Sequence, residues 1–79
     1  MEINTAQVRA ARALLDWTQV DLAAAAKISL PTVKRYEAGT RTPIPVIMAA
    51  IFLAFEEAGI IFEADGKHVG VKLKIRRGK

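Results

Sequence analysis

The sequence contains no cysteine, so it can form neither a disulfide framework nor a thiolate metal site. Its longest strongly apolar stretch covers residues 44–55, which is too short to span a membrane. Residues 1–12 lack the pattern of a signal peptide. We therefore expect a soluble, cytoplasmic protein, and the residue types present indicate neither a metal nor a cofactor.

Residue arrangements that support catalysis are also scarce. A nucleophile needs a base nearby, and the single histidine, His68, falls in a predicted hairpin. There we expect it to pair with Glu63 across the strands. The chain has no glycine-rich phosphate loop, and its carboxylates are scattered. The sequence therefore does not indicate an enzyme.

The length of 79 residues allows one domain. Apolar residues make up 52% of the chain, enough for a core, although domains of this size often gain stability from a partner subunit. A change of pattern divides the chain into residues 1–59, predicted to be helical, and residues 60–79, predicted to be a hairpin with a basic tail.

The net charge of +4 is unevenly distributed. Residues 1–59 hold six basic and six acidic side chains, whereas residues 60–79 hold six basic and two acidic ones. Within residues 27–41, four basic side chains accompany one acidic side chain. Both regions favour a polyanionic partner, with nucleic acid the leading candidate. For residues 72–79, a solvated basic tail is an equally good interpretation.

Three short helices are predicted in the first half of the chain. An amphipathic run covers residues 6–15, and Asp16 follows it where a left-handed residue is needed. Thr18 with Asp21 is typical of a capping box and starts a second helix, which ends near residue 26. Ser29 caps a third helix, which Gly39 ends.

A fourth helix is predicted to open at Thr42 and Pro43 and to close at Gly59. A helix with apolar residues on two sides needs two partners, of which the second is either the hairpin or another chain. The predicted main core stripe is Ile44, Ile47, Met48, Ile51 and Phe55. The predicted second stripe is Val46, Ala49, Ala50 and Leu53.

The last section alternates with a period of two and contains Asp65-Gly66, a strong hairpin turn. Centring the turn there pairs Phe62 with Val69 and Ile60 with Val71. The second strand then leaves an unpaired edge, and a lone hairpin is marginal in water. We therefore hypothesise a homodimer with a four-stranded sheet. The residues predicted to mediate it are Val71, Leu73 and Ile75.

The stretch of residues 18–39 reads as two short helices joined by a tight turn, the helix-turn-helix unit whose second helix enters the major groove of DNA. Residues 7–59 resemble the Cro/C1-type, or Xre-like, repressors. The residues that carry the resemblance are Gln19, Ala23, Ile28, Val33 and Tyr36. It implies a mainly α, four-helix lambda-repressor-like domain, here followed by a β-hairpin.

The resemblance also implies a buried ion pair between Arg12 and Glu37. The family usually has glycine in the turn, where this chain has Lys27. A non-glycine residue in left-handed geometry costs about 1–2 kcal/mol, so the turn is either strained or bent differently. Leu30 and Pro31 stand where the family usually reads DNA with polar side chains.

The candidate DNA contacts centre on the third helix. Arg35 is expected to bind a base edge, because its guanidinium matches guanine O6 and N7. Lys34 fits a base edge or a phosphate, and Arg41 a phosphate; the alternative for each is a solvated charge. The predicted DNA-binding residues are Gln19, Ser29, Leu30, Pro31, Thr32, Lys34, Arg35 and Arg41.

Three functions remain open from the sequence. The first is a sequence-specific, dimeric repressor that binds palindromic half-sites on double-stranded DNA. The second is an antitoxin-like or recombination-accessory protein that binds DNA but acts through a protein partner. The third is an interaction module without a nucleic-acid role, which the basic third helix disfavours.

Overall fold

The computed structural model describes residues 3–75 as four helices followed by a two-stranded antiparallel sheet. The predicted fold class is confirmed. The elements in chain order are α1 (Thr5–Leu15), α2 (Gln19–Ala26), α3 (Leu30–Glu37), α4 (Pro45–Glu57), β1 (Ile60–Ala64) and β2 (Val69–Leu73).

The caps of the first two helices follow from side chains in the sequence. Asn4 caps α1 in a capping box with Gln7, so this helix begins one residue earlier than predicted. Asp16 then adopts the expected left-handed conformation, with φ 58°. Thr18 and Asp21 form the predicted capping box of α2. Local side-chain chemistry therefore sets the boundary between these helices.

The predicted start of α4 at Thr42 and Pro43 is wrong by two residues. Pro45 occupies the first helical position and Ile44 is the cap residue, with extended backbone. Both prolines suit the first turn of a helix, but only one can begin it. Ile44 consequently lies before the helix and is 62% exposed, so it does not belong to the predicted core stripe.

The core lies between the helices and one face of the hairpin. The largest fully buried side chains are Phe55, Leu22, Ile51, Val8 and Val33. Trp17 stacks on Phe55 with ring centroids 5.6 Å apart, so the single tryptophan packs inward. Phe62 of β1 meets Phe55 edge-on at 5.7 Å and so joins the sheet to α4.

The predicted hairpin register is wrong by two residues. Phe62 lies opposite Val71 and Ile60 opposite Leu73, with Ala64 paired to Val69. The main-chain N–H of Asp65 donates to the oxygen of His68, which centres the turn one residue later than predicted. Because the shift is an even number of residues, Ile60, Phe62, Val71 and Leu73 stay on the inward face, whereas Val69 is 53% exposed.

The register also changes the predicted partners of the charged hairpin residues. Glu63 does not pair with His68; it forms an ion pair with Lys72 at 2.9 Å. His68 instead lies 3.1 Å from Asp65. The Asp65 carboxylate also accepts hydrogen bonds from the main-chain N–H groups of Lys67 and His68. Asp65 thereby stabilises the turn.

The hairpin packs against α1 as well as against α4. Gln7 of α1 is almost fully buried, and its side-chain amide donates to the main-chain oxygens of Glu63 and Gly70 at 3.0 and 3.1 Å. Val71 and Leu73, predicted for a dimer contact, are half-buried against the core of their own chain. Ile75 is 84% exposed.

Candidate nucleic-acid interface

The turn between α2 and α3 is tight and left-handed. Lys27 has φ 59°, and the N–H of Ile28 donates to the oxygen of Ala23 at 3.0 Å. Ala23 and Ala26 are buried on the side of α2 that packs against α3. Their small side chains allow the two helices to cross closely. The turn is therefore not bent differently. It keeps the left-handed geometry, with the non-glycine residue Lys27 in the left-handed position.

Side-chain hydroxyl groups organise the start of α3. The Ser29 hydroxyl accepts a hydrogen bond from the main-chain N–H of Thr32 at 3.2 Å. The two hydroxyl groups also share a hydrogen bond of 2.7 Å. Pro31 occupies the first turn, where its missing N–H removes no helical hydrogen bond. Ser29 and Thr32 therefore hold the end of α3 that the sequence predicts to face DNA.

One side of α3 is buried and the other faces solvent. Val33, Tyr36 and Glu37 are the buried residues of the helix. Lys34 and Arg35 are both exposed, as is Pro31, whereas Leu30 is half-buried and packs against the core. The cationic side of α3 is therefore accessible, and Leu30 contributes mainly to packing.

Arg35 lies close to a second exposed cation. A shallow hollow is lined by Thr32, Arg35, Arg41 and the residues that lead into α4. Within residues 3–75, Arg35, Arg41 and Lys34 form no ion pair with a carboxylate. Such side chains are available for phosphate oxygens or for the edge of a guanine base.

The predicted ion pair between Arg12 and Glu37 is present and is bidentate. Arg12 Nε and Nη2 each donate to one carboxylate oxygen of Glu37 at 2.7 Å. The Glu37 side chain is only 4% exposed, so this contact lies in a low-dielectric environment. Arg12 Nη1 also donates to the main-chain oxygen of Trp17 at 3.1 Å. The pair fixes α3 against α1 and the segment before α2.

Two further side chains converge on Glu37. Gln19 Nε2 donates to Glu37 Oε1 at 3.1 Å, so the amide of this predicted DNA contact binds the protein itself. Arg9 Nη1 donates to the main-chain oxygen of Glu37 at 3.2 Å, a contact that no sequence pattern predicts. Together these contacts join α1, α2 and α3 at the last residue of α3.

Tyr36 attaches the N-terminal segment to the same helix. Its hydroxyl donates to the main-chain oxygen of Ile3 at 3.4 Å. Burial, and then the neighbouring Glu37 carboxylate, raise the pKa of Tyr36 above its ordinary value. The phenol therefore stays protonated as a hydrogen-bond donor over the physiological pH range.

The structure brings three of the eight predicted DNA-binding residues together. Arg35, Arg41 and Thr32 line the same hollow, and Lys34 is exposed on the same helix. Gln19 and Ser29 make hydrogen bonds within the protein, and Leu30 packs on the core. The cationic residues thus form the candidate interface, and the uncharged ones support it.

This geometry is that of a helix-turn-helix domain, a class of fold whose second helix enters the major groove of DNA. A family model described as helix-turn-helix matches residues 8–55, more than half of the chain. The chain therefore belongs to the Cro/C1-type, Xre-like helix-turn-helix family, and its class of function is transcription regulation. A search of curated proteins found no match.

Within residues 3–75, no helix is long and apolar enough to cross a membrane. In the same part of the chain, no three metal-binding side chains come together.

Proposed function

We propose that this protein is a dimeric, sequence-specific repressor that occupies a promoter and blocks polymerase. The observation that carries the proposal is the exposed pair Lys34 and Arg35 on the outward side of α3. This helix is held by the Arg12–Glu37 contact, so its cations are presented on a rigid element. Its action is binding and not catalysis, and its proposed location is the cytoplasm of a bacterium or phage-infected cell.

The proposed mechanism assigns each cation a separate part of the duplex. Arg35 reads a guanine through O6 and N7, and Lys34 contacts an adjacent base edge or phosphate. Arg41 follows α3 and neutralises a backbone phosphate, which sets the register of the protein without reading sequence. Two copies related by a two-fold axis would place two α3 helices in successive major grooves, so the operator is palindromic.

Selection from a random duplex pool tests this function. The native chain is expected to enrich a palindrome with half-sites about one helical turn apart, or a multiple of it. The double variant Lys34→Ala/Arg35→Ala is expected to enrich no sequence. The matched control, Lys67→Ala/Lys74→Ala, removes the same charge from exposed hairpin positions and keeps the native selection. Failure of the native chain to retain any duplex would contradict the proposal.

One observation favours a second function. The outward face of α4 carries exposed apolar side chains, including Val46 and Leu53, which a partner protein could cover. An antitoxin-like or recombination-accessory protein would use such a face while binding DNA through α3. A promoter-reporter assay with the chain as the only added protein separates the two functions, because a repressor acts there alone.

A further inference from the structure

The outward face of α4 is apolar and uncovered within residues 3–75. Val46, Ala49, Leu53 and Glu56 follow one another at intervals of three, four and three residues, so they share one side of the helix. Val46 is 66% and Leu53 is 52% exposed, and Ala49 is exposed between them. A hollow lined in part by Pro45, Ala49 and Phe52 adjoins this face. We call the four side chains the α4 face.

The charges of α4 oppose the dipole of the helix. Glu56 and Glu57 lie in the last turn, which contains no basic residue, although the C-terminal end of a helix carries partial negative charge. The first turn contains no acidic residue, and its cap residue Ile44 makes no side-chain hydrogen bond. Both ends of α4 thus lack the charge that each would attract.

We propose that a second copy of this chain packs its α4 antiparallel against the α4 face, about a two-fold axis. The pairing places Ala49 of each copy against Leu53 of the other and the stem of Glu56 near the partner's Val46. Glu56 and Glu57 of each helix then approach the positive, uncapped start of the other. A single two-fold operation thereby covers the apolar face and satisfies both helix ends.

This pairing specifies the dimer within the proposed function and rests on it. Of the three residues predicted for the alternative dimer, through the edge of β2, only Ile75 is largely exposed. Val71 and Leu73 are half-buried within their own chain, and β2 spans only Val69–Leu73. The α4 face, by contrast, has no such intrachain cover at Val46 and Leu53.

Cross-linking locates the interface, because the native chain has no cysteine that would interfere. Antiparallel pairing centred near residue 51 separates the two Ala49 Cα atoms by roughly 7–11 Å, from the helical rise, the helix radius and the usual interaxial distance. Ala49→Cys is therefore expected to yield covalent dimers with a short bismaleimide. The control Ala24→Cys, exposed on α2, should remain monomeric. Cross-linking of Lys72→Cys in place of Ala49→Cys would overturn the proposal in favour of the strand edge.

Two variants test the energetics by sedimentation equilibrium. Leu53→Lys should raise the dimer dissociation constant by at least about tenfold, whereas Val20→Lys, on the exposed side of α2, should leave it unchanged. Circular dichroism confirms that each variant is folded. Glu56→Lys/Glu57→Lys should also raise the dissociation constant, but it should not lower the resistance of the monomer to urea, because cations suit that helix end. Unchanged dissociation constants for both variants would overturn the proposal.

The same experiments separate this inference from the function. If Ala49→Cys forms covalent dimers but the protein enriches no DNA sequence, the proposed repressor function is contradicted and the proposed α4 pairing is not. A chain that binds its selected duplex but never cross-links at Ala49→Cys would contradict the pairing alone.

Discussion

The side-chain amide of Gln7 donates to the main-chain oxygen of Glu63 at 3.0 Å, across 56 residues of sequence. The same amide reaches Gly70 on the neighbouring strand, so one buried group joins α1 to both strands of the hairpin. An apolar replacement of Gln7 would leave those contacts unmade. The hairpin is therefore attached to the helical unit by a polar contact as well as by aromatic packing.

Replacing Gln7 by leucine is expected to lower the free energy of unfolding by about 1–3 kcal/mol, since buried polar groups lose a partner. Urea titration followed by fluorescence of Trp17 measures the change, because this residue stacks in the core. Ala10→Leu, exposed on the same helix, is the control and should change stability little. Equal stability of the two variants would count against this role of Gln7.

Because Arg12 and Glu37 are in contact, the effects of replacing them on the free energy of unfolding are expected to be strongly non-additive. Arg12→Met leaves the nearly buried Glu37 carboxylate without its bidentate partner and should cost about 3–5 kcal/mol. The double variant Arg12→Met/Glu37→Leu should recover most of that loss, because no uncompensated charge remains. A double-mutant cycle by urea titration measures the coupling. Additive effects of the two changes would show that the pair contributes little.

Alanine substitutions of Arg35 and Arg41 are expected to change DNA binding in different ways. Arg35→Ala should relax discrimination at one base pair of the selected site by about 1–3 kcal/mol. Arg41→Ala should weaken binding to all duplexes alike and reduce the salt slope by about one unit. Binding titrations at several salt concentrations, on the selected site and on single-base variants of it, distinguish these results. If Arg41→Ala relaxed discrimination and Arg35→Ala weakened binding to all duplexes alike, the two assigned roles would be wrong.

The left-handed Lys27 predicts that glycine at this position stabilises the fold. Lys27→Gly removes the steric cost of φ 59° and should raise the free energy of unfolding by about 1 kcal/mol, after the greater backbone entropy of glycine is subtracted. The matched control Ala25→Gly, within α2, should lower it by a similar amount. Thermal unfolding by circular dichroism provides the comparison. Destabilisation by Lys27→Gly would show that the left-handed conformation of Lys27 is not strained.

The hairpin turn is expected to loosen in acid. Hydrogen bonds from the main-chain N–H of Lys67, and then from the His68 side chain, hold the pKa of Asp65 below its ordinary value. A carboxyl group with a lowered folded pKa stabilises the fold above its unfolded pKa, and this contribution disappears as the pH falls through the folded pKa. Amide chemical shifts of Lys67 and His68 should follow that titration. In Asp65→Asn, which keeps the acceptor oxygen, they should not.

Much of the helical part could be predicted because its signals are local. The left-handed Asp16, the Thr18–Asp21 capping box and the Ser29 cap each depend on residues within one turn of the chain. The exposure of Lys34 and Arg35 followed from helical periodicity alone. For the ion pair of Arg12 with Glu37, the family resemblance was needed, since the two residues lie far apart in sequence.

The remaining features depend on competition or on distant partners. The start of α4 was misplaced because Pro43 and Pro45 both suit a first turn. The hairpin register was misplaced because the Asp65 carboxylate accepts hydrogen bonds from the main-chain N–H groups of Lys67 and His68. The dipeptide Asp65-Gly66 alone does not reveal these contacts. Gln7 could not be assigned because both of its strand partners lie more than 50 residues away.

The docking of α1 on β2 has a consequence for how the chain matures during translation. During synthesis, α1 can reach β2 only after the residues between them have been made. Until then its inner side, including Val8, stays without part of its cover. The complete packing of α1 therefore requires β2 to have been synthesised.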